Sequence, residues 1–284
     1  MSPYRTGRIG AAALLIATSG CAAHAGASPA EAAVPAAPSP LADSDVRAQL
    51  APSGRLRVAI NTGNVVLAQP GGPRGATGPS VDIADELGRR LGVPVDLVVY
   101  AAAGDVVARL DRDKWDIGFM AIDPKRAEQI AFTGPYVFID GTYMVREGSP
   151  ARSVADLDRE GSRIAVGQGA AYDLYLSRAL KHAALVREAS SPAAISAFEN
   201  DPGIDAVAGV RQALEQERAR KTGYRVLPDA FNRIEQAVAV PRGRDKGLAY
   251  VSALIEQLKA DGFVRAALDR AGQRDAPVAP PARP

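Results

Sequence analysis

The residues best suited to chemistry lie in one stretch, residues 115–136. An apolar run at residues 117–121 is followed by Pro124 and, two positions later, by Arg126. The pattern predicts a buried strand, a turn and a short helix that begins at Pro124, since proline is favoured at the first helical position. The free N–H groups of a helix start favour an anion, and an arginine one turn in can hold a carboxylate through two parallel hydrogen bonds. Taken alone, however, the pattern favours a solvated Arg126 on a short helix over a ligand contact.

Few other residues suit catalysis or metal binding. The chain has two histidines, His24 and His182, and one cysteine, Cys21, so histidine and cysteine cannot supply a metal cluster. No G-x-S-x-G segment occurs, and Gly167 and Gly169 lack the third glycine of a dinucleotide-binding loop. We therefore expect a protein that is not an enzyme and that holds no metal or cofactor.

Composition narrows the class of protein further. Of the 284 residues, 47% are hydrophobic and 23% are charged, which is ordinary for a globular protein. This length allows two lobes of roughly 100 residues each, with a tail at either end. The net charge is +2, and lysine and arginine form no block or stripe, so nucleic-acid binding is not expected.

The amino terminus has the pattern of an export signal. Arg5 and Arg8 precede an apolar run at residues 9–17, which is too short to span a bilayer as a mature helix. The pattern predicts a signal peptide over residues 1–27. We therefore expect the protein in the periplasm or at the extracytoplasmic surface of a membrane.

The residues after the apolar run allow two outcomes. Residues 18–21, Thr-Ser-Gly-Cys, resemble a bacterial lipobox and would make Cys21 the site of a lipid anchor. Ala-His-Ala at residues 23–25 instead offers an ordinary cleavage site, whose use would remove Cys21. Neither outcome permits an intrachain disulfide, because the chain has only this cysteine.

Both ends of the mature chain are rich in small residues and proline. Residues 28–51 contain mostly alanine, proline and serine, and residues 273–284 have a similar character. Such segments bury too little apolar surface to offset the entropy lost on ordering. The composition predicts a flexible tether at residues 28–51 and a disordered tail at residues 273–284.

Between these ends, strand-like and helix-like patterns alternate. This alternation predicts an α/β fold with parallel strands covered by helices on both faces. Strands are expected near residues 55–60, 95–100, 117–121, 143–146, 163–166, 185–187 and 206–208. Helices are expected near residues 81–91, 105–111, 172–180, 191–200, 212–220 and 246–258, with a brief one after Pro124.

Several segments together resemble one family. The stretch from Asp116 to Arg126, continued by Phe-Thr-Gly-Pro-Tyr at residues 132–136, resembles the signature of the family 3 extracellular solute-binding proteins, the polar amino-acid receptors of ABC importers. The resemblance covers roughly residues 52–272, with its segments in the order of that family. The other similar segments are residues 54–60, 78–87, 91–94, 153–157 and 164–169.

The resemblance implies a two-lobed type II periplasmic binding protein fold with two hinge strands and a ligand between the lobes. Lobe 1 would comprise residues 52–138 and 236–272, and lobe 2 residues 139–235. The protein would be the substrate-binding component of an ABC importer, a monomer that delivers a small solute to a membrane permease.

The resemblance also implies a ligand site. Arg126 would bind a carboxylate of the ligand, aided by backbone groups near Ala121. The second lobe would contribute N–H groups at the start of a helix. These groups belong to Gly169, Ala170 and Ala171.

Departures from the family pattern point to an unusual ligand. Members commonly hold an ammonium group with an acidic residue after a lobe 2 strand, but Gly209, Val210 and Arg211 occupy that position here. Ala121 lacks the hydroxyl found in many members. A buried ammonium without an acidic partner carries a large desolvation cost. We therefore expect an organic anion or an unusual amino-acid derivative as the ligand.

Four other side chains are candidates for the site. Asn61 and Asn64 stand where an aromatic residue commonly packs on the ligand, and Phe119 lies at the end of a strand that leads to the cleft. Arg211 could make a second cationic contact or could lie on a helix surface.

One enzymatic alternative uses the same scaffold. Cyclohexadienyl and arogenate dehydratases resemble this family and need a carboxylate in the cleft as a general acid. The position best placed to supply it is apolar or basic here, so we favour the binding function.

Overall fold

The computed structural model describes residues 43–110 and 115–282. Within these ranges, ten strands form one mixed sheet and two short strands form a hairpin. The strands are β1 (Leu56–Asn61), β2 (Gln69–Pro70), β3 (Ala76–Thr77), β4 (Val95–Tyr100), β5 (Ile117–Ala121), β6 (Ile130–Phe132), β7 (Val137–Arg146), β8 (Arg163–Gly167), β9 (Ala184–Glu188), β10 (Ala206–Val210), β11 (Tyr224–Val226) and β12 (Asn232–Pro241). The helices are α1 (Ser44–Leu50), α2 (Pro79–Leu91), α3 (Ala103–Ala108), α4 (Pro124–Ala127), α5 (Ala171–Ala179), α6 (Ser191–Asn200), α7 (Arg211–Arg220), α8 (Asp245–Ala260) and α9 (Phe263–Arg270).

The sheet has two parallel portions joined by two long antiparallel strands. β1 pairs in parallel with β4 and β5, and β8 pairs in parallel with β9 and β10. β7 and β12 pair with each other over residues 137–141 and 232–236. β7 then continues alongside β10, and β12 continues alongside β5. This topology confirms the predicted α/β fold with two lobes and two hinge strands, while the predicted lobe boundaries stay a prediction.

Local sequence signals explain where the helices begin and end. In α2, Pro79 occupies the first turn, and Gly92 ends the helix in the left-handed region at a φ of 69°. The expected apolar residues Ile83 and Leu87 are buried against the sheet side of the helix. The hydroxyl of Ser190 accepts a hydrogen bond from the N–H of Ala193 and so caps α6. The bounds of α2 and α6 therefore follow from residues that are close in the sequence.

The structure contradicts the predictions made for residues 44–50 and 273–282. Residues 44–50, within the predicted tether, form α1, whose Leu50 is fully buried and packs against Gly247 of α8. Residues 273–282, predicted as a disordered tail, lie along the start of β7, and we call them the C-terminal strap. The N–H of Phe138 donates to the carbonyl of Pro277 at 3.0 Å, and Ala276 is fully buried. Alanine-rich segments can therefore order where small side chains fit closely against existing elements.

Some predictions fall outside the described ranges. The signal peptide, Cys21 and the tether up to residue 42 lie there, as do residues 283–284. Across residues 43–110 and 115–282, no helix is both long enough and apolar enough to cross a membrane.

Candidate functional site

A cleft opens at the carboxyl ends of β1, β5, β8 and β10, so both parallel portions of the sheet contribute to it. The loop after β1 lines it with Asn61 and Asn64, and β5 lines it with Phe119 and Ala121. The loop between β8 and α5 and the end of β10 form the opposite wall. Ligand sites of open α/β sheets lie at this edge of the strands.

Arg126 is the charged group of the cleft. Its side chain lies on α4 and the residue is only 3% exposed. Nη1 donates to the carbonyl of Ala121 at 2.9 Å, and Nη2 donates to the carbonyl of Gly169 at 2.8 Å. Nε is buried and has no partner among the residues that the structure describes. Burial lowers the pKa of Arg126 to about 10, so the guanidinium remains charged at neutral pH but is poorly solvated.

The position of Arg126 follows from the start of α4. Pro124 occupies the first turn, and Oδ1 of Asp123 accepts the N–H of Lys125 at 2.9 Å, which caps the helix. Oδ2 of Asp123 accepts a bond from Nη2 of Arg178 on α5 at 2.8 Å. The aspartate therefore fixes α4 and also connects it to the opposite wall of the cleft.

The loop before α5 differs in detail from the prediction. Gly169 has a φ of +71°, and its N–H donates to Oδ2 of Asp173 at 2.8 Å. The N–H of Ala170 donates to the carbonyl of Gly167 at 3.1 Å. The prediction that these two N–H groups face a ligand is therefore wrong, because the turn uses both internally. Ala170 still lines the cleft, and the carbonyl of Gly169 contacts Arg126.

The first N–H groups of α5 itself remain available. Ala171 and Tyr172 line the cleft, and in the described part of the chain no acceptor pairs with the backbone N–H of either. No side chain caps this helix start. Unpaired N–H groups at a helix start carry partial positive charge and favour an anion.

The asparagines of the β1 loop use their oxygens within the loop. Oδ1 of Asn61 accepts the N–H of Gly63 at 3.0 Å, and Oδ1 of Asn64 accepts the N–H of Val66 at 3.3 Å. Each amide therefore presents its nitrogen, a donor, as the group left for other contacts. Both side chains line the cleft, and their contact with a ligand stays a prediction.

Phe119 packs against the floor of the cleft. Its ring meets the ring of Tyr136 edge to face, with 6.0 Å between centroids. The Tyr136 hydroxyl lies 3.4 Å from the hydroxyl of Ser80, which also lines the cleft. Phe119 therefore gives the cleft an apolar surface and no hydrogen-bonding group.

Arg211 is not part of the cleft. It begins α7 and donates to the carbonyls of Leu227, Pro228 and Asp229 at 2.9–3.1 Å. It lines a separate depression on the surface. The prediction of a second cationic ligand contact is wrong, because the turn after β11 supplies three acceptors that hold the guanidinium. The alternative, a role at the helix surface, describes its position better.

Several lining residues were not predicted. The hydroxyl of Tyr172 donates to Oγ of Ser191 at 2.6 Å, and burial raises the pKa of Tyr172 to about 12. Gln236 reaches the cleft from β12 and is 3% exposed. Ser80 and Ser191 lie at the starts of α2 and α6, where a serine is usually read as a helix cap. The sequence offered no comparable signal for Gln236.

The residues that line the cleft include few charged groups. Among the described residues that line the cleft, Arg126 carries the single formal charge, and none is aspartate or glutamate. No group of three or more histidine, cysteine, aspartate or glutamate residues suited to a metal occurs in the part of the chain that the structure covers. The arrangement suits the binding of a small anion that is largely shielded from water.

Two sequence comparisons relate the chain to known proteins. Residues 56–273 match the family described as bacterial extracellular solute-binding proteins, family 3. The L-cystine-binding protein TcyJ of Escherichia coli K12 is 26% identical over 202 residues, which are 67% of this chain and 72% of that protein.

Solved structures show the same fold. The P235GK mutant of ArgBP from T. maritima has a TM-score of 0.69 at 22% identity, covering 80% of this chain and 99% of that one. The cysteine-binding protein from Campylobacter jejuni has a TM-score of 0.69 at 20% identity, covering 81% and 93%. A putative binding component of an ABC transporter from Wolinella succinogenes, complexed with lysine, has a TM-score of 0.66 at 21% identity, covering 76% and 95%.

These likenesses to solved structures concern the fold alone, whereas the family match extends over most of the sequence. Because residues 56–273 carry that match, the chain belongs to the bacterial extracellular solute-binding proteins, family 3.

Proposed function

We propose that this protein is the substrate-binding component of an ABC importer and that it captures a small carboxylate-bearing solute in the cleft. The observation that carries the proposal is Arg126, a buried cation whose Nε lacks a partner among the described residues. A carboxylate at this place would pair with the guanidinium through charge-assisted hydrogen bonds, each contributing about 1.5–3 kcal/mol when shielded from water.

Two walls of the cleft would share the anion. Arg126 belongs to the predicted lobe 1. Ala171 and Tyr172 belong to the predicted lobe 2, and their N–H groups meet no acceptor among the residues that the structure describes. A ligand held from both sides binds the closed arrangement better than an open one. Binding would therefore shift the protein towards closure, which is the signal that an importer reads.

The relatives support a carboxylate as the common feature. TcyJ is named for L-cystine, and the structural neighbours are named for or complexed with arginine, cysteine and lysine. All of these molecules carry a carboxylate and an α-ammonium group, while their side chains differ in size and charge. The described lining of the cleft has a cation for the carboxylate, Arg126, but no aspartate or glutamate for the ammonium. The carboxylate contact is therefore the part of their recognition that this chain is best equipped to share.

The dehydratase alternative needs a carboxylic acid in the cleft. The described lining contains no aspartate or glutamate. Asp123, three residues before Arg126, is held by the N–H of Lys125 and by Arg178. The geometry therefore favours binding without chemistry.

Export and assembly form part of the same proposal. We propose a monomer in the periplasm, or one anchored through Cys21 to the extracytoplasmic membrane surface, that delivers its solute to a membrane permease. Osmotic-shock release of the wild type and of Cys21→Ala tests the location. Retention of the wild type with membranes, lost in Cys21→Ala, would show the anchor, whereas release of both would exclude it. Elution of the purified protein as a dimer would contradict the monomer.

A thermal-shift screen tests the binding function. The wild type is measured with amino acids, oxo acids, dicarboxylates and small sulfonates, and Arg126→Ala is measured beside it. A ligand at a hundredfold excess over its Kd stabilises the native state by about 2.7 kcal/mol. We expect a carboxylate to raise the Tm of the wild type and to leave Arg126→Ala unchanged.

Arg211→Ala is the matched control, since it removes an arginine outside the cleft. We expect it to keep the ligand-dependent shift. A shift that persists in Arg126→Ala, or the absence of a shift with every carboxylate, would contradict the proposal.

A further inference from the structure

The hydrogen-bonding groups of the cleft are mostly donors. Arg126 offers Nε, Ala171 and Tyr172 offer backbone N–H groups, and Asn61 and Asn64 offer amide nitrogens. A carboxylate has only acceptors, so it matches this surface. An ammonium group has three donors and no acceptor, so it needs the opposite surface.

Four acceptors beside the cleft already take part in one hydrogen bond each within the protein. The carbonyls of Ala121 and Gly169 accept from Arg126, and the side-chain oxygens of Asn61 and Asn64 accept from their own loop. The acceptors that remain in the described lining are neutral groups such as the amide of Gln236. None of them supplies a negative charge.

The wall formed by β10 adds no acceptor side chain. Val210, the last residue of β10, lines the cleft and is 7% exposed. It also stands at the capping position of α7, where it provides no side-chain hydrogen bond. No side chain caps the start of α7, and Val210 and Ala213 at this start line the cleft. The partial positive charge of a helix start disfavours a cation nearby.

A buried ammonium would consequently meet three unfavourable conditions. It would lose its hydration without gaining a counter-charge, which is costly in an apolar environment. It would share a small cleft with the cation of Arg126 and would face the positive ends of α5 and α7. The contact between Arg126 and the carboxylate of an amino acid would not offset this cost. A carboxylic acid without an ammonium group would make the same contact and would avoid the cost.

We propose that the ligand is a small carboxylate without an ammonium group, such as a 2-oxo or 2-hydroxy acid, and that Val210 enforces this choice. The inference rests on the proposed function, since it assumes that Arg126 holds a carboxylate. To the carboxylate of the proposed function, the inference adds that the remainder of the ligand is small and uncharged.

Calorimetric titration with matched series tests the inference. The first series is L-leucine, 4-methyl-2-oxopentanoate and 2-hydroxy-4-methylpentanoate, and the second is L-alanine, pyruvate and lactate. Within a series the carbon skeleton is constant and only the group beside the carboxylate changes. We expect an oxo or hydroxy acid to bind at least tenfold more tightly than its amino acid, and Arg126→Ala to abolish that binding.

The outcomes separate the two proposals. An amino acid that binds as tightly as its oxo acid, with binding lost in Arg126→Ala, would overturn the inference and leave the proposed function intact. Binding that is indifferent to Arg126→Ala would overturn both. If no member of either series binds, the inference is overturned, and the wider thermal-shift screen decides the proposed function.

The variants Val210→Asp and Val210→Asn together test whether Val210 selects against an ammonium group. Both introduce a polar side chain of the same size at the capping position, and only the aspartate is charged. We expect L-leucine to bind Val210→Asp at least tenfold more tightly than Val210→Asn, and 4-methyl-2-oxopentanoate to show the reverse preference. Equal affinities of the two variants for both probes would show that Val210 does not determine the class of ligand.

Discussion

Arg126 combines a functional advantage with a structural cost. Its guanidinium is almost completely buried, and it meets two neutral carbonyl oxygens instead of a carboxylate. Desolvation of a charge is only partly offset by neutral acceptors, as the lowered pKa of Arg126, about 10, indicates. A bound carboxylate would remove this imbalance. Under the proposed function, the ligand would stabilise a buried charge that the protein alone holds at a cost.

Replacement of Arg126 by methionine should separate stability from binding. Methionine fills similar space without a charge, so we expect the free energy of unfolding without ligand to stay unchanged or to rise by up to about 2 kcal/mol. Ligand-dependent stabilisation should disappear. Urea unfolding with and without ligand measures both effects. Arg126→Lys, which keeps the buried charge, is the control and should be less stable than Arg126→Met.

The opposite result would be informative. If Arg126→Met lost more than about 2 kcal/mol without ligand, the bonds to Ala121 and Gly169 would outweigh the cost of burial. Arg126 would then be chiefly a structural connection between the two walls.

At the scale of single residues, the sequence predicted the place of Arg126 better than the contacts around it. Pro124 and the apolar strand before it predicted the helix start, but only the family resemblance favoured Arg126 as a ligand contact, since the local pattern alone favours a solvated arginine. Gly169 and Arg211 were misjudged because their partners, Asp173 and the carbonyls of residues 227–229, depend on how loops fold back. Hydrogen bonds of that kind leave no periodic trace in a sequence.

At the scale of elements, one ion pair connects α4 to α5 across the cleft. Asp123 caps α4 and is 5% exposed at its side chain, and Arg178 on α5 is 48% exposed. Oδ1 of Asp123 accepts from α4 in the predicted lobe 1, and Oδ2 accepts from α5 in the predicted lobe 2. Under the proposed function, the pair would form only when the walls are close, and it would stabilise the closed arrangement and not either wall alone.

Arg178→Gln should weaken ligand binding without unfolding the protein. A half-exposed ion pair contributes about 0.5–1 kcal/mol, which corresponds to a two- to fivefold rise in Kd. The Kd of the wild type should also rise with salt more steeply than that of the variant, because salt screens the pair. Titration calorimetry at low and high ionic strength measures both effects.

Arg74→Gln provides the control for this pair. Arg74 and Asp85 form an exposed ion pair within the predicted lobe 1, with 2.5 Å between Nη2 and Oδ2. Its loss should leave the Kd unchanged, because it does not cross the cleft. Equal changes in the two variants would mean that Arg178 acts through net charge alone.

The elements themselves were predicted unevenly. Runs with a clear period were found close to their observed bounds, such as β4 at residues 95–100 and α6 at residues 191–200. The sequence pattern did not place the hinge strand β12, because four of residues 232–236 are polar and residues 237–240 are apolar without alternation. The C-terminal strap was missed because its order depends on tertiary contacts with β7.

At the scale of the whole molecule, two glycines set how closely the walls approach. Gly104 on α3 and Gly169 before α5 meet across the cleft mouth. A Cβ on Gly169 would lie 2.8 Å from Cα of Gly104, and a Cβ on Gly104 would lie 3.1 Å from the carbonyl oxygen of Gln168. Backbone therefore packs directly on backbone here. A larger residue would hold the walls apart, and Arg126 would lose its reach to the carbonyl of Gly169.

Gly104→Leu should therefore block closure while leaving the fold intact. Gly104 lies within α3 and has no positive φ, so a leucine suits the helix. The free energy of unfolding without ligand should stay unchanged or rise by about 0.5–1 kcal/mol from helix propensity. Ligand affinity should fall at least tenfold, and the decrease in radius of gyration on ligand binding, measured by small-angle X-ray scattering, should vanish. Ala108→Leu, at an exposed position of the same helix, should retain both. A Gly104→Leu protein that binds and compacts like the wild type would show that the ligand is held without closure of the cleft.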